Sequence, residues 1–154
     1  MIIAQHEGAD VEKVIKMALV HDISESRTGD VHYLSRKYVD RHESAAVRDM
    51  LKDTSLEEEF IELIYEYEER ISLEARIVKD ADNIDVDFEL MEQHTNGYTG
   101  AEFWKYDRKE RIGNRLFTKT GKKLWQGLHE TNPHDWHRNA RHIYQKNSIQ
   151  DDNT

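Results

Sequence analysis

An imidazole and three carboxylates fall within ten residues of one another: His21, Asp22, Glu25 and Asp30. Neutral imidazole beside carboxylates suits a divalent cation of borderline or hard character, such as Mn, Co, Ni, Fe, Zn or Mg. Adjacent helical residues point about 100° apart, so His21 and Asp22 can share one ion only if it sits close against a helix end. Glu25 lies four residues after His21 and three after Asp22, on adjoining parts of the same helical surface. Collecting this much charge at the end of an apolar segment is costly without a cation. A helix that simply runs out into a solvated polar loop explains the same residues about as well. Arg27, in that loop, carries a guanidinium able to meet an anionic substrate in bidentate fashion, although a loop arginine is more often just solvated.

A second acidic cluster runs from Lys79 to Asp87 and contains Asp80, Asp82, Asp85 and Asp87. Val78, Ala81, Asp82 and Asp85 follow the i, i+3, i+4, i+7 spacing of one helical face. Asp82 and Asp85 are therefore expected toward the buried side, with Asp85 the more inward of the two. Asp80 and Asp87 are expected on a solvated acidic face. Periodicity alone does not single out Asp82.

The elements that must position these groups read as helices throughout. Met1 to Ala4 is apolar, Gln5-His6-Glu7 is polar, and Gly8 is a helix terminator. This pattern reads as the last turns of a longer helix whose beginning is absent. Asp10 is an N-cap for a helix with Val11, Val14, Ile15, Ala18 and Leu19 at helical spacing, ending near His21-Asp22. Ser26 to Asp30 reads as a loop, and a third helix is expected over 35–52, burying Ala46, Val47, Met50 and Leu51. Ser55 and Glu58 form a capping box ahead of a helix that buries Leu56, Phe60, Leu63, Ile64 and Tyr67. The next helix starts near Ser72 and carries Ile77, Val78, Ala81, Ile84, Phe88 and Met91. Thr95 to Gly100 is turn-like, and two shorter helices follow. The expectation is an all-α, single-domain helical bundle over residues 1–146, with a polar tail over 147–154.

Composition agrees with that architecture and narrows the function. One proline and seven glycines are too few for many short strands joined by tight turns. The formal net charge of −9 disfavours a nucleic-acid partner, while a bound cation could still reverse the field locally for a small anion. Without cysteine, any metal must be held by imidazole and carboxylate. The apolar start is too short to span a membrane or act as a signal peptide, so a soluble, cytoplasmic protein is expected. His129, His134, His137 and His142 cluster late in the chain, with only His134 and His137 at a helical metal spacing, and read as a solvated helix. Trp104, Trp125 and Trp136 read as packing residues.

The run from Met17 to Asp30 resembles the signature of HD-domain phosphohydrolases, in particular their 5′-deoxynucleotidase-like branch: apolar-His21-Asp22, then Glu25, then Gly29-Asp30. Glu66-Tyr67-Glu68, Ser72, Glu74-Ala75 and Val78-Lys79-Asp80-Ala81-Asp82 resemble that branch too. The likeness covers about Ala4 to Met91 and, more loosely, Leu116 to Leu128. It implies His21, Asp22 and Asp82 as metal ligands, and Glu25 as the group that handles the proton of the attacking water. It also implies Asp30 as an aid to catalysis or substrate placement, and Asp85 as a packing or ligand-supporting residue. The family supplies a further metal-binding histidine and basic substrate contacts from a preceding helix. Here His6 is the only upstream histidine and is not expected to be its equivalent. The implied activity is metal-dependent release of phosphate from nucleoside 5′-monophosphates, deoxy forms preferred. The rival expectations are a non-catalytic HD remnant serving as a binding or assembly module, and a hydrolase of nucleoside triphosphates or phosphodiesters. A shortened start would bare apolar helix faces, so a homodimer is expected.

Overall fold

The computed structural model describes residues 1–137 and Ala140, and every regular element among them is helical. The elements are α1 (Ile2–Glu7), α2 (Val11–Val20), α3 (Glu25–Thr28), a 3-10 turn at Ser35–Lys37, α4 (Glu43–Leu51), α5 (Glu57–Glu69), α6 (Leu73–Thr95), α7 (Gly100–Ile112) and α8 (Lys119–Glu130). The fold is all-α, as the scarcity of turn residues predicts. No helix among the described residues is long and apolar enough to cross a membrane. The expected polar tail over 147–154 and His142 lie outside the described residues.

The chain divides into two compact units. One comprises Met1–Asp82 together with Phe117–Gly121; the other comprises Asn83–Leu116 and the residues from Lys122 onward. In the first unit, α2 packs on α5, α4 on both α3 and α5, and α1 on α2. Met17, Val20, Leu63, Tyr67, Ile77 and Val78 are among its buried side chains.

Gly8 ends α1 in a left-handed conformation at φ 72°, which glycine adopts without a Cβ penalty. Asp10 caps α2 by accepting the Lys13 backbone N–H at 3.0 Å. Replacing Asp10 with alanine leaves that donor without its partner, and the expected loss is about 1 kcal/mol, read as a lower urea midpoint.

Several expectations need correction. Helix α2 buries Val14, Met17 and Val20, whereas Ile15 and Leu19 are exposed. The buried stripe is thus rotated from the expected one, because Met17 rather than Ala18 is buried. Glu25–Thr28 forms a helical turn where a loop was expected, closed by Gly29 at φ 80°. The single helix expected over 35–52 is broken: only its second half is α-helical, and residues 32–40 are all exposed. No apolar stripe holds that segment against the core. The Ser55–Glu58 capping box does not form. Glu57 instead accepts the Asp53 N–H at 2.9 Å, and Leu56 and Thr54 stand at the helix start.

The largest correction concerns α6. Its buried positions include Ile77, Asp80, Ile84, Asp87 and Met91, a three- and four-residue spacing with two aspartates inside it. Ala81, Asp85 and Phe88 are exposed, so Asp85 is not the inward residue and Asp80 and Asp87 are not solvated. Buried carboxylates persist where hydrogen bonds replace water. In the first unit, Asp80 accepts the Phe117 N–H at 2.8 Å, the Thr118 N–H at 2.8 Å and the Thr118 hydroxyl at 2.7 Å. A Cβ on Gly121 would lie 2.6 Å from Asp80 Oδ2, so this close approach requires glycine. In the second unit, Asp87 accepts from Trp125 Nε1 at 2.7 Å and from Arg108 Nε, while Arg108 also donates to the Asn83 carbonyl at 2.7 Å. Trp125 is buried, as expected of a packing residue; Trp136 is exposed, against expectation.

Candidate metal centre

Helix α2 ends at His21, whose backbone N–H still bonds to the Met17 carbonyl at 2.9 Å. Its ring Nδ1 lies 2.8 Å from the Ala18 carbonyl oxygen. A carbonyl can only accept, so Nδ1 carries the proton and, in the neutral ring, Nε2 presents a lone pair. Nε2 is buried and has no hydrogen-bond partner, although Asp22 Oδ2 stands 3.0 Å away. A lone pair facing a carboxylate oxygen is unfavourable until a cation lies between them.

Asp82 completes the arrangement from α6. His21, Asp22 and Asp82 each offer one ligand atom, and these atoms all lie within 4.8 Å of one another. A nitrogen and two carboxylate oxygens at that spacing fit a divalent cation with room for further ligands. Lys79 donates to Asp82 Oδ2 at 2.7 Å, so one oxygen of this carboxylate already has a positive neighbour. The His21 ring meets the buried Tyr67 edge-on, with centroids 5.0 Å apart. The Arg70 guanidinium covers the Tyr67 ring at 3.4 Å. Burial first, then the charges of Asp82 and Asp22, push the Tyr67 phenol above its ordinary pKa, and Arg70 opposes them. Tyr67 is thus a neutral wall that limits where the imidazole can turn.

Glu25 opens α3, and its side chain is partly buried. Arg41 Nη1 donates to Glu25 Oε1 at 3.3 Å, and Arg41 Nη2 pairs with Glu43 at 2.7 Å. Burial raises the Glu25 pKa above its usual value, Asp22 and Asp30 add to the rise, and Arg41 opposes it. Asp30 is exposed, with Arg36 Nη2 3.8 Å away. Arg36 is itself aimed by a 2.8 Å bond from its Nε to the Val31 carbonyl.

His21, Asp22 and Asp82 therefore meet, Glu25 stands one helical turn on, and Asp30 and Arg27 lie exposed on the segment that follows. Asp85 is exposed on α6, and His6 is exposed on α1. His134 and His137 are exposed, and neither joins a metal-type group among the described residues. The sequence reading did not anticipate Arg36 and Arg41 as the cations beside Glu25 and Asp30. Two arginines five residues apart, just downstream of the acids, were the available signal. Assigning that stretch to one long helix concealed it.

An HD domain family model matches residues 1–125. The 5′-deoxynucleotidase hdd1 of Schizosaccharomyces pombe is 34% identical over 128 residues, covering 76% of this chain and 58% of the relative. The 5′-deoxynucleotidase HDDC2 of Danio rerio is 35% identical over 87 residues, covering 53% of this chain and 44% of the relative. The chain thus spans about half the length of these curated relatives. Among solved structures, a conserved hypothetical protein from Pyrococcus furiosus superposes with a TM-score of 0.61 at 25% identity, covering 83% of this chain and 73% of that one. With the family match running through the helices that carry His21, Asp22 and Asp82, the chain belongs to the HD-domain family.

Proposed function

We propose that this chain is a metal-dependent phosphohydrolase that releases phosphate from nucleoside 5′-monophosphates, with deoxy forms preferred. The observation that carries the reading is the unpartnered His21 Nε2 facing Asp22 and Asp82 within one small group. The two deoxynucleotidases similar to this chain support the choice of substrate.

His21, Asp22 and Asp82 would hold the cation, with the Ala18 carbonyl keeping the imidazole in the required tautomer. When bound, a divalent ion supplies Lewis-acid polarisation of a phosphoryl group and makes water more acidic. Glu25 accepts a proton from the attacking water. Its Oε1 is engaged by Arg41, which leaves Oε2 for that task. The water oxygen bonds to phosphorus, the bond to the ester oxygen breaks, and the departing alkoxide takes up a proton to leave as the nucleoside. Asp30 and Arg27, on the exposed segment after Glu25, would help place the substrate.

Phosphate release from deoxynucleoside monophosphates, assayed with added Mn or Co, tests the proposal. Glu25→Ala should lower turnover by about a hundredfold or more, and Asp22→Ala should also remove bound metal. Unchanged turnover in both variants overturns the mechanism. A folded protein that takes up no metal at millimolar supply overturns the metal centre and favours a binding module.

A further inference from the structure

A cavity of about 260 Å³ opens beside the metal centre, with His21, Asp22 and Glu25 in its lining. Val47, Ile61 and Ile64 give it an apolar wall, and Glu43 and Glu68 add two further carboxylates. No lysine or arginine lines it. Three guanidiniums reach lining residues from outside the cavity: Arg41 pairs with Glu25 and Glu43, Arg36 lies 4.0 Å from Glu25, and Arg48 donates to the Tyr65 hydroxyl at 2.7 Å. A cation held by His21, Asp22 and Asp82 would meet the charge of the phosphoryl group being transferred. No cationic side chain in the lining would meet the charge of a second phosphate, where Ser24, Ser44 and Tyr65 offer only neutral polar groups.

This matters because the two substrate classes differ in their leaving group. Hydrolysis of a monoester expels an uncharged alcohol. Hydrolysis of a diphosphate at its terminal phosphorus expels a charged phosphate ester, which must sit where the alcohol would. We propose that the cavity receives the alcohol portion of a phosphate monoester, and that Glu43 and Glu68 exclude leaving groups that carry a phosphate. The apolar wall accepts the carbon skeleton, and the carboxylates act as the repulsive element of the selection. The inference rests on the phosphohydrolase reading and assigns its specificity to two residues outside the metal-binding group.

Glu68 is exposed on α5, so Glu68→Gln and Glu68→Lys can be made with little threat to folding. The readout is the ratio of kcat/KM for deoxyadenosine diphosphate to that for the monophosphate, with metal supplied. That ratio should rise about threefold in Glu68→Gln and about tenfold in Glu68→Lys, and further when Glu43→Gln is added. Calorimetric dissociation constants for the same two nucleotides, in the same buffer, form a second arm. Tighter binding of the monophosphate by the unaltered chain, with the gap narrowing in Glu68→Lys, supports the inference even if nothing is hydrolysed; only the phosphohydrolase reading would then fall. A ratio that stays within twofold across the variants overturns it, as does equal binding of both nucleotides by the unaltered chain. A protein that binds neither nucleotide overturns both readings.

Discussion

On the proposed mechanism, Asp82→Ala should abolish divalent-cation binding and lower kcat/KM for a deoxynucleoside monophosphate by about a thousandfold. Such a loss corresponds to roughly 4 kcal/mol of transition-state stabilisation, within the several kcal/mol that a bound cation contributes at a phosphoryl group. Asp82 is the carboxylate that α6 contributes to the candidate centre. Without it, His21 and Asp22 remain at the end of α2 as two donors on one side of the ion. The Asp82 side chain is about one-third exposed, and its partner Lys79 has a similarly exposed side chain that can turn to water. Folding should therefore survive. The measurement pairs metal content after dialysis with phosphate release, and uses far-ultraviolet circular dichroism to confirm the helices. Retention of one equivalent of metal by the variant would show that Asp82 is not a ligand.

Asp80→Ala, two residues away, should do the opposite: it should damage the fold. The Asp80 side chain is fully buried and accepts three hydrogen bonds from Phe117 and Thr118. Deleting the carboxylate strands two backbone donors and a hydroxyl inside the first unit. The expected cost is about 3–5 kcal/mol, since each stranded buried group adds a desolvation penalty. Thr118→Val removes only the hydroxyl and should cost about 1 kcal/mol. Urea denaturation of the two variants beside Asp82→Ala separates the roles. Asp80→Ala should shift the midpoint strongly and Asp82→Ala hardly at all. A strong shift in Asp82→Ala with none in Asp80→Ala would reverse the assignment.

That contrast also marks how far the sequence could be read. The nearness of His21, Asp22 and Glu25 was legible because they sit close together on one short stretch, where spacing translates directly into direction. The helical class was legible from the dearth of turn residues, and the ends of α1 and α2 from Gly8 and Asp10. Asp80 and Asp87 were misread because acidic residues were taken to face water, and Asp85 because the stripe was counted through Ala81 rather than through Ile77 and Asp80. Here the buried stripe of α6 contains aspartates whose partners, Phe117, Thr118, Arg108 and Trp125, come from 21 to 38 residues further along. No local pattern announces donors at that distance. Asp82 was chosen over Asp85 by family resemblance alone, and periodicity pointed the other way. Arg36 and Arg41 were hidden for a related reason: their aim depends on single contacts to Val31, Gly29 and Glu25, which helical spacing does not encode.

The pairing of Asp80 with Phe117 and Thr118 bears on the order in which the chain can fold as it leaves the ribosome. The first unit is split in sequence, and its last piece, Phe117–Gly121, is made more than thirty residues after Asp82. The same piece holds Thr120, whose N–H bonds to Glu7 across 113 positions. Until that piece emerges, the growing chain carries a carboxylate at position 80 that must stay hydrated, and helix α1 lacks one of its anchors. Domains generally fold as units during synthesis, yet this one cannot close on its N-terminal residues alone. A nascent chain halted just after Asp82 should therefore remain open to protease, whereas one halted far enough beyond Gly121 for that piece to clear the exit tunnel should be protected.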